Sequence, residues 1–262
     1  MLVLSWGLGL QSTALLEMSL SGDYDTPKLD LAIFADTGFE HNYSHDIYNF
    51  YAPRAIEAGI KVIKIGDQSI LDDSYRKVSM PMFVTGNGRR GRMIRRKCTR
   101  EYKIRPIQRA IRQELGVNPR GRLAANLVEL WLGITTDEIE RAKDSRVAYI
   151  NHSFPLLDLN FKRGQCANYL KSKNLPVPGK SSCVFCPYKK SSEWAELKRD
   201  QPQTYELIAD LEAKINQKEL VKIGGQAKDV YFLPSGVALP QADFDTPEAD
   251  LSEMCDGGFC FS

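Results

Sequence analysis

The sequence predicts an α/β fold: an open parallel sheet of about five strands with helices on both faces, continued by a mainly helical, cysteine-bearing subdomain. Three observations carry this expectation. Short apolar runs alternate with helical stretches through about residue 160, the pattern of a parallel sheet with crossover helices. The first apolar run passes through a glycine-bearing turn directly into a helix, the place where open α/β sheets gather ligands. Beyond residue 160 the chain turns helical, and a close pair, Cys183 and Cys186, falls in that part. The expected division is residues 1–160 for the sheet domain and 161–262 for a helical metal-binding subdomain with its tail.

Taken in order, Leu2-Val-Leu-Ser5 reads as a short buried strand, Trp6-Gly-Leu-Gly9 as a turn, and Gln11 to Leu20 as a helix with Ser12 or Thr13 in its first turn. Leu29 to Phe34 is a second strand, closed by Ala-Asp-Thr-Gly. Tyr43 to Ala58 is helical, with Pro53 expected to kink or end part of it. Lys61 to Ile65 alternates as a third strand. Residues 67–100, rich in Ser, Gly, Pro and Arg, read as irregular, a mobile loop over a site. Ile104 to Leu115 is a basic amphipathic helix with Pro106 in its first turn. Leu127 to Ile134 is a fourth strand, and Phe154 to Leu159 begins a fifth. Helices follow at Gln165–Ser172, Ser191–Lys198 and Thr204–Asn216, and the last ~40 residues read as loops from their Gly and Pro content.

Composition narrows the classes. The 262 residues are 43% hydrophobic and 26% charged, which suits a packed soluble domain. No stretch approaches the ~20 apolar residues of a membrane helix, and with a strand beginning at Leu2 no leader is expected, so the expectation is a cytoplasmic protein without a membrane partner. In that compartment six cysteines point to metal or redox chemistry rather than structural disulfides. The net charge of +2 conceals a local bias. Residues Arg89 to Arg122 hold thirteen Lys or Arg against Glu101 and Glu114, so this block lies on a surface or faces an anion.

The turn after the first strand is the strongest candidate site. Gly7 and Gly9 let backbone approach a phosphate, the helix N-terminus supplies unpaired N–H groups, and Ser12 and Thr13 add hydroxyls; a tight turn without a ligand meets the same description. Asp36, at the end of the second strand, lies at the crevice edge, where a carboxylate can hold a ribose hydroxyl, an adenine amine or Mg2+; a helix cap is the alternative. Glu138 and Arg141, three apart, share a helical face as either a surface ion pair or part of a phosphate clamp.

Together these segments resemble a known family. Ser5-Trp6-Gly7-Leu8-Gly9-Leu10-Gln11-Ser12 is similar to the pyrophosphate-binding loop of the PP-loop, or adenine-nucleotide α-hydrolase, superfamily, in the variant of its phosphoadenosine-phosphosulfate (PAPS)-reductase-like members. Ser5, Gly7 and Ser12 match; Gln11 stands where the commoner form has Asp. Phe34-Ala35-Asp36-Thr37-Gly38 and Gly133-Ile134-Thr135-Thr136-Asp137-Glu138-Ile139-Glu140-Arg141 resemble two further motifs of the family, in the same order. The resemblance covers roughly the first 190 residues. It implies a Rossmann-like sheet, ATP or another adenine nucleotide as ligand with Mg2+, and a pocket of Ser5, Gly7, Gly9, Gln11, Ser12, Thr13, Asp36, Thr37, Gly38, Gly133, Asp137, Glu138 and Arg141.

Cys183-Val-Phe-Cys186 has the spacing by which two thiolates grip one metal. The segment Lys97-Cys98-Thr99 through Pro106 resembles the first half of the iron–sulfur motif of adenylylsulfate reductases, with Thr99 in place of a second Cys. The resemblance implies Cys98, Cys183 and Cys186 as ligands of an iron–sulfur cluster, 4Fe-4S by that likeness. A fourth comes from Cys255 or Cys260, with Cys260 taken in the ligand set, or the fourth iron is open as in PP-loop tRNA thiolases. A structural zinc is the rival. Cys166 reads as a small buried side chain. Cys255 and Cys260, beside Gly257-Gly258, are candidate nucleophiles on a flexible tail, with an ordinary tail as the alternative.

Three functions fit. In the first, an ATP-dependent sulfurtransferase adenylates a substrate, releases pyrophosphate and delivers sulfur through the metal centre; Asp36, Cys255 and Cys260 are its catalytic candidates. Its acceptor would be a nucleic acid held through residues 89–122, and its sulfur or electron donor protein is unspecified. The second is a PAPS or adenosine-phosphosulfate reductase giving sulfite, against which the absence of an ECGLH-like tail weighs. The third is a zinc-stapled nucleotide- or nucleic-acid-binding module.

Overall fold

Alternation decides the first layer. In the strand β1 (Leu2–Ser5), Val3 and Leu4 are both fully buried yet belong to opposite clusters, as the two-residue period of a strand requires. The next strand, β2 (Leu31–Ala35), does the same: Leu31, Ile33 and Ala35 face one core, Ala32 and Phe34 the other. A strand buried on both faces is the mark of a parallel sheet covered by helices. The computed structural model describes residues 1–66, 69–86, 89–118 and 120–244.

The chain divides into two compact units, neither continuous in sequence. The first holds residues 1–67 and 102–182. It contains β1, the helix α1 (Leu10–Ser21), β2, the helix α2 (Asn42–Glu57) and the strand β3 (Lys61–Ile65). After Tyr102 it resumes with the helix α4 (Arg105–Glu114), the strands β6 (Val128–Trp131) and β7 (Ile150–Ser153), and the helices α5 (Pro155–Asp158) and α6 (Arg163–Ser172). All five strands are parallel, in the order β3-β2-β1-β6-β7. The chain winds outward from β1 to β3, then returns to the other side of β1. The switch point therefore lies between β1 and β6, where the carboxyl ends of the strands open a crevice.

One face of the sheet packs Leu4, Trp6 and Phe34 against Leu15 and Met18 of α1, Ile47 and Tyr51 of α2, and Leu170 of α6. The other packs Val3, Ile33 and Leu130 against Ile107 and Ile111 of α4. Pro53 does not end α2, which runs on to Glu57.

The second unit holds residues 68–101 and 183–259. Among its described residues are the helix α3 (Ile70–Ser74), the strands β4 (Phe83–Gly86) and β5 (Arg89–Met93), and the helices α7 (Ser191–Asp200) and α8 (Pro202–Gln217). Three short strands follow: β8 (Lys222–Ile223), β9 (Gln226–Ala227) and β10 (Val230–Tyr231). An antiparallel sheet of order β10-β4-β5 and the hairpin β8-β9 complete it. Its core is aromatic: Phe232 packs against Phe185 and Trp194, whose centroids lie 6.2 and 5.8 Å away. The Glu212 carboxylate, buried in α8, accepts the backbone N–H groups of Phe232 and Leu239 at 2.7 and 2.9 Å.

Three expectations change. Phe154–Leu159 does not begin a strand: Pro155–Asp158 is a short helix, and the fifth strand is Ile150–Ser153 just before it. Pro155 cannot donate to a sheet ladder but fits the first turn of a helix. The stretch 67–100 is not a loop; its described part contains α3, β4 and β5. Finally, the units do not divide at residue 160. Helix α6 belongs with the sheet, and residues 68–101 join the cysteine-bearing part.

Candidate active site

The turn that follows β1 is fixed by its neighbours. The Trp6 N–H donates to Ile33 O at 2.9 Å, extending the β1–β2 pairing by one residue. The buried Trp6 indole donates to Thr13 Oγ1 at 3.1 Å. Leu8 takes a positive φ of 56°, an uncommon conformation for a side chain of that kind. Gly9 is the extended N-cap of α1, with no side-chain cap on the first turn, so the leading N–H groups of the helix have no side-chain acceptor. Ser12 Oγ donates to Gly9 O at 3.2 Å.

Two glycines are dictated by close approach. A Cβ at Gly9 would stand 2.6 Å from Ser181 Oγ. The segment preceding the CxxC pair therefore lies against the loop, held also by Tyr43 of α2, whose hydroxyl donates to Lys180 O. Two residues beyond β6, a Cβ at Gly133 would stand 2.7 Å from Ser12 N and 3.0 Å from the Gln11 carbonyl carbon. Only a residue without a side chain lets the end of β6 pack on that backbone.

A polar chain then crosses the switch point. Gln11 Nε2 donates to Glu138 Oε1 at 3.2 Å, and the other Glu138 oxygen pairs with Arg141. Glu138 and Arg141 are both buried. Burial pushes the Glu138 carboxyl above its ordinary value, while the guanidinium of Arg141 pulls the other way. Arg141 Nε, Thr135 Oγ1, Ser44 Oγ and Ser182 Oγ are buried with no partner among the described residues. Such atoms are costly unless something satisfies them.

The structure separates the residues expected at the pocket. Ser5, Gly7, Gly9, Gln11, Ser12, Gly133, Glu138 and Arg141 meet at the carboxyl edge of β1 and β6. Thr13 is fully buried, and its hydroxyl oxygen accepts from the Trp6 indole. Asp137 accepts the Arg163 N–H at 3.2 and 3.3 Å, tying the start of α6. Asp36 is engaged on both oxygens, by Lys64 Nζ at 2.9 Å and by the Gly38 N–H at 2.8 Å. Thr37 Oγ1 donates to Glu40 at 2.8 Å. Arg141 is tied to Glu138 rather than exposed as a clamp. Sequence reasoning missed Ser181 and the orphaned hydroxyls of Ser44, Thr135 and Ser182. The one local signal was the run of small polar residues before Cys183.

The cysteines of the second unit sit on short turns. The Cys186 N–H donates to Cys183 O at 3.0 Å, and the N–H groups of Lys97 and Cys98 both donate to Ser79 O, at 2.8 and 2.9 Å. The Arg96 guanidinium lies 5.9 Å from the centroid of the Tyr188 ring, linking the Cys98 segment to the CxxC segment. All three cysteines are half-buried. Among the described residues, no three His, Cys, Asp or Glu side chains form a group that could hold a metal ion. Cys183 and Cys186 share one turn, and the Arg96–Tyr188 contact joins that turn to the segment that carries Cys98. Cys255 and Cys260 lie outside the described residues. Cys166 is buried in the first unit, where burial pushes its thiol up to about 12.

The basic block is shared between the units. Arg92 to Arg100 fall in the second, Lys103 to Arg122 in the first. Arg112 is structural, donating to Asn118 O and Gly121 O at 2.7 and 2.6 Å and lying over Tyr149. Arg105 and Arg109 are exposed.

Among the described residues, no helix is long and apolar enough to cross a membrane. No family model and no curated protein matches the chain. A solved structure, the U34-tRNA thiolase NcsA from Methanococcus maripaludis with its 4Fe-4S cluster, is similar at 15% identity. The match covers 81% of this chain and 70% of that one with a TM-score of 0.42, a likeness too slight to carry chemistry from one protein to the other.

Proposed function

We propose that the first unit binds an adenine nucleotide at the carboxyl edge of β1 and β6 and activates an acceptor by adenylation, as a PP-loop enzyme of the PAPS-reductase-like kind. One observation carries the reading: the segments around Gln11 and Gly133–Arg141, which resemble two of that family's motifs and lie far apart in sequence, meet at one crevice, and the third, ending β2, lies on the strand next to β1. The end of β6 packs on the α1 turn at Gly133, and Gln11 bonds Glu138 across 127 positions. The glycine-walled turn leads into an uncapped helix start, and in the segments packed on it Thr135 Oγ1, Arg141 Nε and Ser182 Oγ are buried without partners among the described residues. A polyphosphate supplies the missing acceptors, and a helix N-terminus favours its charge.

In the proposed reaction an acceptor oxygen attacks the α-phosphorus of ATP. The α–β phosphoanhydride bond breaks, pyrophosphate leaves with its electron pair, and a sulfur nucleophile then displaces AMP. The chain's part in the first step is to hold the phosphates on the α1 N–H groups and to stabilise charge as it develops. Asp36, engaged by Lys64, serves as an anchor of the β2 loop in this reading rather than as a base. Sulfur delivery belongs to the cysteine-bearing unit, where Cys98, Cys183 and Cys186 would hold a metal centre that supplies the sulfur.

The test is ATP binding by calorimetry, followed by pyrophosphate release with and without candidate acceptors. Saturable binding with acceptor-stimulated pyrophosphate release is expected. Failure to bind ATP, or sulfite release from a phosphosulfate in its place, overturns the reading.

A further inference from the structure

The second unit contains a cavity of about 680 Å³ that the nucleotide reading leaves unused. Five of its lining residues are cations, Arg92, Arg95, Lys97, Lys222 and Lys228, and among the described lining residues there is no Asp or Glu. Two walls far apart in sequence build it. One is β5 with the residues after it; the other is the segment from Leu220 through the β8-β9 hairpin. Lys97 feels the Glu101 carboxylate, which Lys77 already pairs at 3.0 Å, and none of the other four is ion-paired to a described carboxylate. Elsewhere on the chain exposed cations do take such partners, as Lys77 does with Glu101. Five like charges round one cavity repel one another, and an anion relieves that repulsion.

The rest of the lining is apolar, including Val78, Val84, Met93 and Val221. A purely ionic ligand such as free phosphate has no use for such a floor. A cationic rim over an apolar floor matches a chain of phosphates carrying flat, weakly polar faces. The volume lies within the range of ligand pockets, ~300–1,000 Å³. In a duplex the base faces are stacked on one another, so only an unpaired segment reaches the floor.

We infer that this cavity is a binding site for single-stranded nucleic acid, with phosphates on Arg92, Arg95, Lys97, Lys222 and Lys228 and an unstacked base against the apolar floor. The inference deepens the acceptor class of the proposed function and rests on that reading only for turnover. Binding is measured separately.

The experiment uses the full chain and fluorescein-labelled twelve-nucleotide RNA and DNA single strands, their duplexes, and poly-glutamate as competitor. Anisotropy should report strand binding whose logarithm falls with log salt at a slope of about 3 to 4, as five neutralised phosphates give. Lys222→Glu with Lys228→Glu, on an exposed hairpin, should weaken binding at least tenfold and lower the slope, while Lys222→Arg retains it. Arg95→Glu on the opposite wall should act in the same direction. The tighter of the two sugars identifies the natural strand. No strand binding, equal affinity for duplexes, or equal competition by poly-glutamate overturns the inference. Because ATP titration reads the first unit, ATP binding without strand binding overturns this inference alone, and strand binding without ATP binding overturns only the nucleotide reading.

Discussion

Gly133 packs on the backbone of Ser12, so that a Cβ at position 133 would lie 2.7 Å from the Ser12 nitrogen. Backbone cannot rotate away as a side chain can. Gly133→Ala should therefore push β6 and α1 apart, costing about 1–3 kcal/mol as overpacking does, and should weaken ATP binding at least tenfold. Paired thermal melts and ATP titrations check both parts.

At Gly9 the obstacle is a side chain. Gly9→Ala meets Ser181 Oγ at 2.6 Å, whereas Ser181 Cβ stands at an ordinary 3.5 Å. Gly9→Ala should lower the melting temperature, and Ser181→Ala should restore most of the loss. A double-mutant cycle should give a coupling of about 1 kcal/mol, in the range of contacting residues.

The Glu138–Arg141 pair is buried and also bonded to Gln11. Arg141→Met leaves a carboxylate in the interior without its counter-charge and should cost about 3 to 5 kcal/mol. Adding Glu138→Gln should recover a large part, which urea denaturation of the single and double variants reads directly.

Burial lifts the Glu212 carboxyl from 4.5 to about 7, although two backbone N–H groups oppose the shift. A carboxyl raised in the folded state contributes stability that is fully present below pH 4.5 and is lost as pH rises through 7. The loss is on the order of 3 kcal/mol. Urea midpoints of the parent should thus fall between pH 5 and pH 7.5, and Glu212→Gln should flatten that fall.

Metal content tests the cysteine unit. Protein purified anaerobically should carry metal that Cys183→Ser removes. About four irons with four sulfides would identify a cluster, and one zinc without sulfide a structural staple.

Much of the first unit was legible because the signals are local. Strands β1 and β3 begin and end as their apolar runs do, α1 follows its glycine turn, and Gly133 stands out as a glycine closing a strand. Where local signals conflict, the reading slipped. Phe154–Leu159 is apolar enough for a strand, but Pro155 made it a helix beside the true strand Ile150–Ser153.

By itself the sequence determined the class of sheet, the order of the candidate motifs and the glycines that admit close approach, because period, turn chemistry and the lack of a side chain are properties of neighbouring residues. The tertiary structure decided the partners. It gave Thr13 to the Trp6 indole, Asp36 to Lys64, Asp137 to the start of α6 and Arg112 to two carbonyls, and it set Arg92 and Lys222 round one cavity. It also joined residues 68–101 to the cysteine-bearing unit. The physical reason is the same in each case: a hydrogen bond or a shared cavity depends on distance in space, which the chain fixes only when the core of each unit closes.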